Sequence, residues 1–190
     1  VNLTDEDSPN MPGSGKSFNQ SYNAQAVVDF ETMLVVANTV SQNANDKKEL
    51  EPILECLENL PDSLGNAQKL LADAGYFSET NVAACERKHI TPYIASGRES
   101  HNKTLEERFE QEPPAPDTAC SVAKMKYRLK TREGKALYAK RKFTVEPVFR
   151  IIKQVMGFRQ FLLRGLTAVE DEWNLVCMAW NIRRLHALKA

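Results

Sequence analysis

Several protein classes are ruled out by what this 190-residue chain does not contain. No apolar run approaches the ~20 residues that a membrane-spanning helix needs, and the opening "VNLTDEDSPN" has neither a basic start nor an apolar signal core. The expected setting is therefore the cytoplasm. Cysteine is scarce and scattered: Cys56, Cys85, Cys120 and Cys177 form no CxxC or Cys/His spacing. This argues against a zinc site or a dense disulfide frame and predicts reduced, mostly buried thiols. His89, His101 and His186 share no spacing that suggests metal or nucleophile chemistry, and no Walker loop, dinucleotide fingerprint or Ser-His-Asp order is present. The chain begins at Val1 without an initiator Met, which permits it to be part of something longer.

Acidic residues are missing from one particular stretch. The formal net charge is zero, yet residues 1–100 hold 7 Lys/Arg against 15 Asp/Glu and residues 101–190 hold 18 against 10. Within 121–164 there are 13 Lys/Arg and only two acids, Glu133 and Glu146. A solvated helix face normally mixes signs to gain i,i+4 pairs. A block with almost no acids instead has the electrostatic footprint of a polyanion-binding surface, so DNA is the expected partner.

The pattern along the chain predicts one α/β domain over 21–190, preceded by an exposed lead-in over 1–20 rich in Pro, Gly, Ser and Asp. "SYNAQAVVD" and "MLVVANTV" read as a β-hairpin turning through Phe30–Thr32. A helix follows, with Leu50, Ile53, Leu54, Leu57 and Leu60 at helical intervals and Asn45 or Asp46 as N-cap. "AQKLLADAGY" reads as a buried strand ending at Asp73, Ser78 as the N-cap of the next helix, and "ITPYIA" as a last strand. The expected order is β-β-α-β-α-β. Residues 97–120, with "EQEPPAPDT", read as a surface insertion. Helices are then expected over 121–131, over 134–156 with an interruption near Pro147, and over 169–188, where Trp173, Val176, Cys177, Trp180 and Leu185 mark one apolar stripe.

Asp73 at a strand end and Glu146 at a helix start are the two acids placed for chemistry. Phosphoryl transfer between nucleic-acid strands commonly uses two divalent cations held by carboxylates that converge from separate elements. Each acid also has an ordinary structural role: Asp73 can cap the turn before Gly75, and Glu146 can favour a helix N-terminus by ~0.3–1 kcal/mol, with Pro147 suited to a first turn. Asp29 beside the hairpin turn is expected to be structural.

"LLADAGYFSETNVAACERKHITPYIA" and "YAKRKFTVEPVFRIIKQVMGFRQFLLRG" together resemble the second-aspartate and glutamate regions of bacterial insertion-sequence transposases of the DDE type. The Tyr, Arg, Glu, Lys signature of that family matches Tyr138, Arg141, Glu146 and Lys153. "NQSYNAQAVVD" and "EWNLVCMAWNIRRL" are similar to the same group, so the resemblance spans 20–188. It implies a ribonuclease-H-like mixed sheet with flanking helices, a helical C-terminal part, and a first catalytic strand missing from this chain. The DGT-like stretch that carries the first aspartate in such proteins is absent, and Asp5, Asp7 and Asp29 are the only local substitutes, none of them in that context. Arg150 also stands where the resemblance implies a small residue, and the Tyr-to-Glu spacing is one residue longer than its simplest form.

The implied roles are catalysis and Mg²⁺ (or Mn²⁺) binding by Asp73 and Glu146, and DNA contact by Tyr138, Arg141, Lys142, Lys153, Arg159 and Arg164. The implied activity is metal-dependent cleavage and transfer of DNA strands at transposon ends, by a homo-oligomer working at the nucleoid. The 190-residue chain alone is expected to be inactive. Two other readings are a DNA-gripping remnant of a decayed transposase and a metal-dependent nuclease of the same fold.

Overall fold

The computed structural model describes residues 4–13, 17–97, 114–116 and 120–189. The surface insertion expected over 97–120 lies almost wholly outside them. Among the described residues the chain forms six short strands and six α-helices, in an α/β arrangement with two compact units. One unit is Val1–Leu60 with Lys142–Ala190, and the other is Pro61–Arg141.

The first unit is built on the hairpin of β3 (Asn23–Val28) and β4 (Val35–Ser41), paired antiparallel from Asn23↔Ser41 to Val28↔Val35. Asp29 holds the turn: its Oδ2 accepts from the Thr32 amide at 2.8 Å and from Thr32 Oγ1 at 2.6 Å. Met33 completes the turn with φ of 62°, while its amide donates to Asp29 O. Asn45 caps a 3₁₀ turn over Asp46–Lys48, after which α1 (Leu50–Glu58) buries Leu50, Ile53 and Leu54.

Two further helices complete this core. Helix α5 (Val145–Gln154) contributes Val148 and Ile152, and α6 (Leu166–Lys189) contributes Val169, Trp173, Cys177 and Trp180, packed with Val35 and Val40 of β4. Polar groups of α6 also satisfy the hairpin backbone, which buried amides require. Trp173 Nε1 donates to Gln25 O and Trp180 Nε1 to Met33 O, both at 2.9 Å. Asn181 pairs with Val35 like an extra strand residue, accepting from its N–H and donating to its carbonyl, each at 2.8 Å. Arg184 donates to Thr32 O at 2.7 Å. Arg184 thus takes the inward place that the apolar stripe assigned to Leu185, which is 45% exposed.

The lead-in carries a short hairpin of β1 (Asn10–Pro12) and β2 (Phe18–Gln20), with Met11 buried. Its acids tie it to this unit. Asp5 accepts from the Tyr22 hydroxyl at 2.8 Å and the Gly165 amide at 3.2 Å, and Asp7 accepts from the Leu166 amide at the start of α6.

In the second unit β5 (Lys69–Ala72) and β6 (Thr91–Ile94) pair in parallel, linked by α2 (Glu79–Arg87), whose Ser78 cap accepts from the Asn81 amide. A parallel pair needs such a crossover. Helices α3 (Ser121–Lys130) and α4 (Arg132–Ala139) meet at Thr131, which is extended and caps α4 by accepting from the Gly134 amide. Gly134 is required at this bend, because a Cβ there would lie 1.7 Å from the Arg128 carbonyl oxygen. The interruption expected near Pro147 falls just before it, as a 3₁₀ turn over Lys140–Phe143. Pro147 sits in the first turn of α5, where its missing N–H costs nothing.

Candidate nucleic-acid site

Asp73 directly follows β5 and caps a 3₁₀ turn over Ala74–Tyr76, with its carboxylate accepting from the Gly75 amide at 2.9 Å. The capping role and an outward-facing carboxylate coexist, since half of the side chain remains exposed (50%) and its Oδ2 lies 3.7 Å from Arg141 Nη1. Tyr138 on α4 donates its hydroxyl to Ala72 O at 3.1 Å, and the Arg141 guanidinium stands 5.6 Å from the centre of the Tyr138 ring. Two signature residues, more than sixty positions along the chain from Asp73, are therefore gathered at the end of β5. Tyr138 grips the backbone one residue before Asp73 and supports Arg141 from beneath.

Glu146 is exposed in the first turn of α5. Because Val148 and Ile152 turn inward, Glu146, Arg150 and Lys153 share the outward face, at i, i+4 and i+7. The signature's Glu and Lys are thus two turns apart on one face, about 10 Å along the axis. Arg150 stands between them. Spacing alone places it there, on a position where the family resemblance implies a small residue.

The remaining cations gather where α5 ends. Gly157, with φ of 79°, reverses the chain, and the Phe158 amide donates back to Ile152 O at 3.1 Å. The returning segment is rooted by rings: Phe149, Phe158 and Phe161 lie 5.7, 6.2 and 6.4 Å from Trp173. These aromatics pack rather than offer stacking platforms. Lys153, Arg159 and Arg164 line one groove of about 830 Å³ in the first unit, along with Asp5, Tyr22 and Phe161. Arg159 is braced by Lys153 O at 3.4 Å and Gln154 Oε1 at 3.0 Å. Burial, reinforced by Asp5, holds the Tyr22 phenol well above its ordinary value near 10. Lys142 is exposed on the chain between Arg141 and α5.

Part of the basic block is consumed in packing. Arg128 pairs with Glu86 at 3.3 Å and lies 5.9 Å from the Tyr93 ring, and Ser121 donates to the same carboxylate. Acids absent from the local sequence are thus supplied by α2. The other cations from Lys124 to Arg164, apart from Arg141, are exposed. None of the cysteines forms a disulfide, and burial pushes the thiols of Cys85 and Cys177 up to about 11 and about 12. Cys85 and Cys177 fit the expectation of buried thiols, Cys56 is half-buried, and Cys120 is exposed.

Among the described residues no helix is long and apolar enough to cross a membrane, and no group of three or more His, Cys, Asp or Glu is placed to hold a metal ion. No curated protein and no solved structure matches the chain. A family model described as the transposase DDE domain matches residues 4–182. The match takes in both units, the aspartate turn, the glutamate helix and most of α6, and the chain belongs to the transposase DDE-domain family.

Proposed function

We propose that this chain is the C-terminal catalytic-domain part of an insertion-sequence transposase, which cuts a DNA strand at a transposon end and joins the freed 3′ hydroxyl to target DNA. The observation that carries this reading is the gathering of Asp73, Tyr138 and Arg141 at the end of β5, in a chain whose family acts in transposition. Water and then the 3′ hydroxyl are the nucleophiles, so no covalent protein intermediate is involved.

The donor set suits a hard cation. Asp73 and Glu146 present solvent-accessible carboxylate oxygens, the ligands that magnesium prefers. When bound, Mg²⁺ or Mn²⁺ supplies activation of the nucleophilic oxygen and neutralisation of charge on the phosphate. The protein's part is positioning. Arg141, Lys142, Lys153, Arg159 and Arg164 hold backbone phosphates, and Tyr138 fixes the Asp73 turn and the Arg141 guanidinium beneath the strand. The Arg141–Asp73 pair is long and partly solvated, worth ~0–1 kcal/mol, so Arg141 exchanges it for phosphate at little cost.

The pairs β3–β4 and β5–β6 are each two-stranded among the described residues. A strand bearing the first aspartate is what the ribonuclease-H-like reading adds to them, and without that third carboxylate this chain leaves DNA uncut. A homo-oligomer at the nucleoid is the working form.

The test measures duplex binding across a salt series. Phosphate contacts give sequence-independent affinity whose logarithm falls by about 0.9 per phosphate neutralised per unit of log salt. Arg141→Ala with Lys142→Ala is expected to reduce that slope by about 2, and an unchanged slope removes both residues from the interface. The same preparations, incubated with supercoiled plasmid and Mg²⁺ or Mn²⁺, are expected to leave it intact. Metal-dependent nicking that vanishes in Glu146→Gln would overturn the requirement for a third carboxylate.

A further inference from the structure

Helix α6 is apolar on two faces. Its inner face, with Val169, Trp173, Cys177 and Trp180, is buried in the core of the first unit. Its outer face carries Leu175 (59% exposed), Met178 (52%), Ile182 (61%) and Leu185 (45%). These four follow a 3-4-3 spacing, which is the seam of a coiled coil. Carried one step outward at each end, the same spacing reaches Asp171 and Lys189, both exposed. A seam of this kind in water is a surface for another helix.

Charge and symmetry identify that helix. The first turns of α6 carry Glu170, Asp171 and Glu172, and the last turns carry Arg183, Arg184, His186 and Lys189. Two copies laid side by side in parallel would set acid against acid and base against base. Laid antiparallel about a two-fold axis beside position 180, they set Leu175 against Leu185, Met178 against Ile182, and Asp171 against Lys189, each twice. The exposed Asn174 then faces the exposed His186. A two-fold contact of one patch with itself needs this self-complementarity.

We propose that the outer face of α6 is a self-association surface, and that two copies of this chain pair through it as antiparallel helices. The pairing makes no use of the DNA-contacting residues and requires neither DNA nor metal. It rests on the homo-oligomer proposed above and supplies a surface for it, while its failure would leave the DNA-contact and metal-ligand readings untouched.

Sedimentation velocity of the purified chain over a concentration series, without DNA or metal, tests it. The chain is expected to sediment as a dimer at the upper end of the series. Met178→Lys combined with Ile182→Lys is expected to give a monomer, with helical circular dichroism unchanged because the inner face is untouched. Asp171→Lys is expected to weaken the dimer on the order of tenfold, since it reverses two exposed pairs, and adding Lys189→Asp in the same chain is expected to restore it. A parent chain that stays monomeric throughout overturns the proposal. So does an Asp171→Lys dimer as tight as the parent or tighter, the outcome expected of parallel helices.

Discussion

Arg141 and Tyr138 act through partners that a sequence pattern cannot display. The hydroxyl of Tyr138 is spent on the Ala72 carbonyl, a backbone atom that any residue would offer there. The motif was legible in the sequence, but the reason for the tyrosine was not. The same holds for Tyr22, whose phenol donates to Asp5, and for Asp5 and Asp7, which tie the lead-in to the start of α6. Burial and Asp5 raise the folded-state pKa of Tyr22 above the ordinary value near 10. Protonated Tyr22 therefore contributes its stability fully below pH 10, and that contribution is lost as pH rises beyond it. Tyr22→Phe is expected to cost about 1 kcal/mol at neutral pH and to flatten the decline of stability above pH 10. Urea midpoints at neutral and alkaline pH check this. The thiols of Cys85 and Cys177, raised from 9 by burial, add a decline in both proteins and so do not mask the difference. An alkaline decline equally steep in Tyr22→Phe would remove Tyr22 as its source.

At the level of elements, periodicity was the reliable guide. The order β-β-α-β-α-β, the Asn45 and Ser78 caps and the helical start ahead of Pro147 are all local features, and local chemistry determines them. What local pattern could not give was pairing. The described strands form three two-stranded sheets, and which strands meet depends on chain that is distant or absent from the pattern. Helix α6 misled for a different reason: with apolar residues on both faces it has no single stripe, so Leu185 was grouped with residues that point the other way. Its inward polar residues are the better guide to its place. Asn181→Ala would leave the Val35 N–H and carbonyl without their partner. It is expected to destabilise the chain by about 1–3 kcal/mol, read as a lowered urea midpoint with an unchanged slope. A loss below about 0.5 kcal/mol, the range of ordinary surface substitutions, would mean that water replaces the side chain there.

For the molecule as a whole, charge read along the chain overcounts the cations left free. The basic block is real, yet Arg128 is paired to Glu86 in the packing of α3, because spatial neighbours supply the acids that the local sequence omits. The cations left outward-facing lie along α3, α4, α5 and the 158–164 segment. The central proposal is that Asp73 and Glu146 are ligands of one metal ion. Mn²⁺ affinity of the parent chain, Asp73→Asn, Glu146→Gln and the double variant, measured by electron paramagnetic resonance, tests that most directly. Ligands of one ion are coupled, so each single change is expected to weaken binding by at least about tenfold, the cost that even a ligand's supporting group carries, and the double little more than the worse single. Affinities that do not change, or losses that simply add as for independent sites, would contradict it.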